Sequence, residues 1–87
     1  MAETNVRYGT TPRSIFGKIL FKHRKIANMS RVEYAERIGK SLAQVRWIET
    51  EKTPEFEDIR DVERVFDLEP GTVYFEYLAE LSRAKKE

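Results

Sequence analysis

The sequence contains no cysteine, which excludes disulfides and thiolate metal sites. It contains one histidine, His23, which excludes His-rich metal centres and paired-histidine acid–base chemistry. No apolar run approaches the roughly 20 residues a membrane helix needs. The N-terminal stretch Met1-Ala2-Glu3-Thr4-Asn5 lacks the basic-then-apolar order of a secretory signal. The expectation is therefore a soluble cytoplasmic protein with no membrane partner. At 87 residues the chain can form one domain with a modest core, too small for that core plus an elaborate active site. No serine, cysteine or carboxylate pair is placed to work with His23, so no enzyme, catalytic residue, metal or cofactor is expected.

Net charge is also scarce: the chain sums to +1. The total conceals its distribution. Through Pro54 there are 11 Lys/Arg against 5 Asp/Glu, a balance of +6, whereas from Glu55 onward 5 face 10, a balance of −5. Opposite fields on the two halves suit a protein with one anion-binding surface and one that repels anions.

What is present is helical punctuation. Residues 1–10 are polar and aperiodic and are expected to form a flexible arm. Thr11-Pro12 reads as a helix start. Phe16, Ile19, Leu20 and His23 then recur at helical spacing, and Asn28 marks the stop. Ser30-Arg31-Val32-Glu33 is a capping box opening a helix that turns Tyr34, Ala35 and Ile38 inward and ends at Gly39. Ser41 caps the next helix, with Val45 and Ile48 on one face, and Thr53-Pro54 interrupts it. Phe56, Ile59, Val62, Val65 and Phe66 mark a fourth helix ending near Asp67-Leu68. Pro70 opens a fifth, over about 71–85, with Val73, Tyr74, Tyr77, Leu78 and Leu81 on its apolar side. The expected class is all-α, a compact bundle of about five short helices in a single domain spanning 11–87.

The informative stretch is 31–49. Two short capped helices joined by a tight glycine-containing turn are the pattern of a helix-turn-helix. The second carries its polar and exposed residues near its N-terminus, the end that enters a major groove.

On Phe16 to Arg24, Met29 to Ser41, Val45 to Glu49 and Pro54 to Ile59, the sequence resembles the Xre/Cro family of lambda-repressor-like DNA-binding domains, over roughly residues 13–75. The resemblance implies a double-stranded DNA partner and a phosphate ligand at Arg31, where the family usually has Gln. Base-reading positions fall on Leu42, Ala43, Gln44, Arg46 and Trp47. It also implies a structural ion pair between Arg24 and Glu49. Glu51 stands where the family commonly has Gly, and His23 where it commonly has Leu. Chemically, Gln44 can read adenine in a bidentate way and Arg46 can read guanine or hold a phosphate. Leu42 and Ala43 can touch only thymine methyls or sugars. Lys40 and Lys52 are further expected phosphate contacts. Trp47 can face DNA or a partner helix, and Arg7 and Arg13 flank the arm.

The last helix carries more apolar and aromatic surface than its own domain requires. Tyr74, Tyr77, Leu78 and Leu81 are the expected homodimer interface, aromatic-rich as interface cores are. The functional expectation is a dimeric phage or bacterial repressor on a palindromic operator, standing alone without a cleavable oligomerisation domain. Two alternatives stand beside it. One is an antitoxin that autoregulates its promoter and binds a toxin partner. The other is a protein-interaction module that keeps the fold without binding DNA.

Overall fold

The computed structural model describes residues 8, 9 and 11–85. Five α-helices make up the described fold: α1 Ile15–Ile26, α2 Arg31–Ile38, α3 Leu42–Thr50, α4 Phe56–Val65 and α5 Thr72–Lys85. Among the described residues there is no strand, and the architecture is an all-α bundle. No helix among them is long and apolar enough to cross a membrane.

The punctuation read from sequence forms most of these boundaries. Ser30 accepts from Glu33 N at 3.1 Å, and Glu33 Oε1 accepts from Ser30 N at 2.7 Å, closing the capping box. Gly39 ends α2 in the left-handed region at φ 71°, where a side chain would be strained. Asn28 ends the α1 turn at φ 57°. Its neighbour Met29 donates its N–H to Arg24 O at 2.8 Å.

One boundary differs. The first helix starts at Ile15, after Thr11-Pro12, because Ser14 supplies the cap. The Ser14 hydroxyl accepts from Gly17 N at 2.9 Å and donates to the Glu49 carbonyl at 2.5 Å. One side chain therefore caps α1 and ties its start to the end of α3. Gly17 makes that approach possible, since a Cβ there would collide with the Glu49 carbonyl oxygen.

The core draws on every helix. Phe16, Ile19 and Leu20 come from α1, Tyr34 and Ala35 from α2, Val45 and Ile48 from α3, Ile59 and Val62 from α4, and Val73 from α5. Helix α1 packs on α3 and α5, α2 on α3 and α4, and α4 on α5. Phe66 lies between the rings of His23 and Tyr34, both stacked on it at centroid distances of 5.9 Å. Phe56, expected on the buried side of α4, is instead 67% exposed. As the first residue of its helix it has no preceding turn to be packed against.

His23 is half-buried, with its Nε2 3.1 Å from Glu76 Oε1. Burial, aided by the Lys22 ammonium, lowers its pKa below the ordinary value of 6.5. The unfolded chain therefore takes up the His23 proton first as pH falls. Stability is expected to be undiminished by this group above about pH 6.5 and to be lost as pH falls below it, through the folded value. Urea titrations at about pH 7.5 and about pH 5.5 should show this loss in the wild type and a smaller one in His23→Gln. An equal loss in both would assign the pH dependence elsewhere.

Candidate nucleic-acid interface

The α2–α3 unit is positioned from within by a buried charge cluster. Glu49, at the end of α3, is fully buried, as is Arg24 of α1. Arg24 Nε donates to Glu49 Oε2 at 2.9 Å and Nη2 donates to Oε1 at 3.3 Å. The remaining guanidinium donors reach the carbonyls of Met29 at 3.2 Å and Tyr8 at 2.8 Å. The ion pair implied by the family resemblance is present.

Arg31 joins it. Its Nε donates to Glu49 Oε1 at 3.0 Å, and its Nη2 lies 2.9 Å from the same oxygen. Its side chain is 12% exposed, and Gly9 passes so close that a Cβ there would meet the guanidinium carbon at 2.9 Å. The residue expected to hold a phosphate has thus turned its guanidinium inward. The reason is electrostatic: a buried carboxylate binds two guanidinium groups more strongly than one, and burial raises the stakes.

The arm expected at residues 1–10 lies mostly outside the described residues. Its described part, Tyr8 and Gly9, is held against the fold. The Tyr8 hydroxyl donates to Asn28 Oδ1 at 2.7 Å, and its ring meets Phe21 edge-on at 6.4 Å.

Helix α3 buries Val45, Ile48 and Glu49 and exposes the opposite face. Ala43, Gln44, Arg46 and Trp47 are exposed there, with Trp47 52% exposed. Leu42 is half-buried at the helix start. Ser41 and Gln44 form a second capping box. Ser41 Oγ accepts from Gln44 N at 3.1 Å, and Gln44 Oε1 accepts from Ser41 N at 2.9 Å. The Ser-x-x-Gln spacing of Ser41 and Gln44 is the sequence signal for this box.

The two expected lysines differ. Lys40, half-buried, sits at the α2–α3 turn, where its N–H donates to Ala35 O at 3.0 Å. Lys52 is claimed by acids: its Nζ is 3.2 Å from Asp58 and 3.7 Å from Glu55, and hydrogen bonding to Asp58 pushes its pKa up. The same ammonium sits 5.5 Å from the centre of the Trp47 ring, so it braces the tryptophan from one side.

The expected dimer face on α5 is divided. Tyr74 and Leu78 are exposed, whereas Tyr77 and Leu81 are half-buried. Tyr77 packs edge-on against Phe16 at 6.2 Å, so part of its surface already serves the core. Phe75, 69% exposed and in contact with Tyr74, extends the apolar face.

No family model, curated protein or solved structure matches this chain.

Proposed function

We propose that the protein is a sequence-specific double-stranded DNA-binding regulator in which α2 and α3 form a helix-turn-helix and α3 enters the major groove. The observation that carries this reading is the α2–Gly39–α3 unit itself. Two capped helices are joined by a left-handed glycine turn and braced by a buried Arg24–Glu49–Arg31 cluster. The face of α3 turned to solvent carries Gln44, Arg46 and Trp47. A rigid inner face and a chemically varied outer face are what direct base readout requires.

The Xre/Cro resemblance supports the same reading. With it come action as a repressor and a dimer that sets two recognition helices in successive major grooves about 34–36 Å apart. The exposed Tyr74, Phe75 and Leu78 of α5 supply a surface for that dimer. The same surface favours one second reading, a heterologous protein partner such as a toxin, docked there while α3 holds DNA. Co-purification of a stoichiometric partner from the native host distinguishes it from the homodimer.

Selection of bound sites from random duplexes tests the main reading. Arg46→Ala is expected to weaken binding to an enriched site by about 1–3 kcal/mol. If Arg46 reads a base, specificity at one position relaxes. If it holds a phosphate, the salt dependence of log K falls by about 0.9. A selection that enriches no sequence overturns DNA recognition.

A further inference from the structure

We propose that the cleft between the first turns of α1 and the last turns of α5 is a binding site for a small amphipathic monoanion, an apolar body that carries one carboxylate. The cleft takes no residue from α2 or α3, so it stands apart from the surface proposed to meet DNA.

The cleft lies where α1 and α5 pack together. Its volume is about 360 Å³, at the lower end of the roughly 300–1,000 Å³ of small-molecule sites. Ile19, only 4% exposed, forms its floor. Half-buried Ile15 and exposed Ala84 add apolar lining. Ala84 contributes a single methyl, so space remains that a larger side chain there would take up. An alkyl or aryl body laid on these three residues removes apolar surface from water on both partners. The methylene stem of Lys18 extends that lining while its ammonium stays in water at the mouth.

The charges choose the head group. Three cations, Lys18, Lys22 and Arg83, share the rim with two carboxylates, Glu76 and Glu80. Both carboxylates already have partners within the chain. Glu76 pairs with Lys22 through one oxygen, and its other oxygen lies 3.1 Å from His23 Nε2. Glu80 Oε2 lies 3.4 Å from Arg83 Nη1. Lys18 is the cation left over: it is exposed, and no carboxylate pairs with it among the described residues. One unmatched positive charge beside an apolar cleft complements one negative charge on an apolar body. An ammonium ligand would face Lys18 with no unpaired carboxylate to offset the repulsion. A multiply charged anion would carry more charge than the one unmatched ammonium can balance.

The test is titration of the full chain with octanoate, followed by the backbone amide signals in NMR spectra, with acetate and octylamine as controls. Octanoate is expected to bind saturably, with a Kd on the order of 0.1–1 mM. The amides of residues 15–22 and 80–84 should shift most. Acetate lacks the apolar body and octylamine carries the opposite charge, so each should bind at least about tenfold more weakly. Lys18→Glu should weaken octanoate about tenfold or more with no loss of melting temperature. An acid in the first turn of α1 suits the helix dipole and stands four residues before Lys22, so this variant keeps its fold. Ala84→Phe fills the cleft without altering its charges and should also lose octanoate. Shifts confined to residues 74, 75 and 78 would put the ligand on the exposed aromatic face of α5 and overturn the proposal. Equal octanoate binding by wild type and Lys18→Glu overturns it too, as does octylamine binding as tightly as octanoate.

Discussion

Glu49→Ala is expected to cost about 3–5 kcal/mol, the range found when one partner of a buried charge pair is removed. The geometry explains why it should lie at the upper end. Glu49 is fully buried and is the shared anion of Arg24 and Arg31. Its loss strands two guanidinium groups, of which Arg24 has no access to water. Small domains are held by only about 5–15 kcal/mol, so this change would take a large share of the total. Arg24→Ala should cost less, because Arg31 still neutralises the carboxylate. Arg31→Ala should cost least, because the Arg24 fork remains. Urea denaturation midpoints of the three variants would give this order. A Glu49→Ala protein as stable as wild type would show that the cluster is dispensable. On the proposed function, loss of DNA affinity should follow the same order, because the cluster joins α1, α2 and α3.

Glu63→Ala is expected to be the second largest effect, about 2–3 kcal/mol, the scale of hydrogen bonds made to a buried charged group. Glu63 belongs to α4 yet caps α5. Its Oε2 accepts from the N–H groups of Gly71, Val73 and Tyr74 at 2.9, 3.0 and 3.4 Å. A carboxylate at the positive end of a helix is also favoured by the helix dipole. Its other oxygen lies 3.3 Å from Arg60 Nε. Gly71 takes a φ of 98°, which brings its N–H onto the carboxylate. Removing Glu63 releases the start of α5, and with it the helix carrying Tyr74, Phe75 and Leu78. Hydrogen exchange should therefore rise across residues 72–78 more than across α2 and α3. Uniform exchange across the chain would instead mean that Glu63 supports global stability alone.

Much of this is legible in the sequence alone. Capping boxes, a left-handed glycine, an asparagine stop and apolar spacings of three and four are local signals. Each depends on a few neighbouring residues, so Ser30, Gly39, Ser41 and Asn28 fall where the sequence places them. The Arg24–Glu49 pair was legible only through family resemblance, since the partners are 25 residues apart. The inward turn of Arg31 was not legible, because nothing local distinguishes it from an exposed arginine at a helix start. The start of α1 moved from Thr11-Pro12 to Ser14 for a similar reason. Two capping residues competed, and the choice fell to the one that also reaches the Glu49 carbonyl.

The charge division at Pro54 keeps its meaning but changes its content. Among the cations of the basic half, Arg24 and Arg31 serve Glu49, Lys22 serves Glu76 and Lys52 serves Asp58 and Glu55. The field available to an anionic partner is smaller than the count suggests, because these four cations are already paired with carboxylates.

By itself the sequence determined the helices, their caps and their inner faces, because those follow from backbone geometry and the periodicity of apolar residues. Only the tertiary structure decided which polar groups remain free for a partner. Burial makes an unpaired charge costly, so the fold spends its cations and carboxylates internally before any surface is left over. Arg31 and Lys52 were drawn into the fold in this way, whereas Arg46 keeps an exposed side chain on α3.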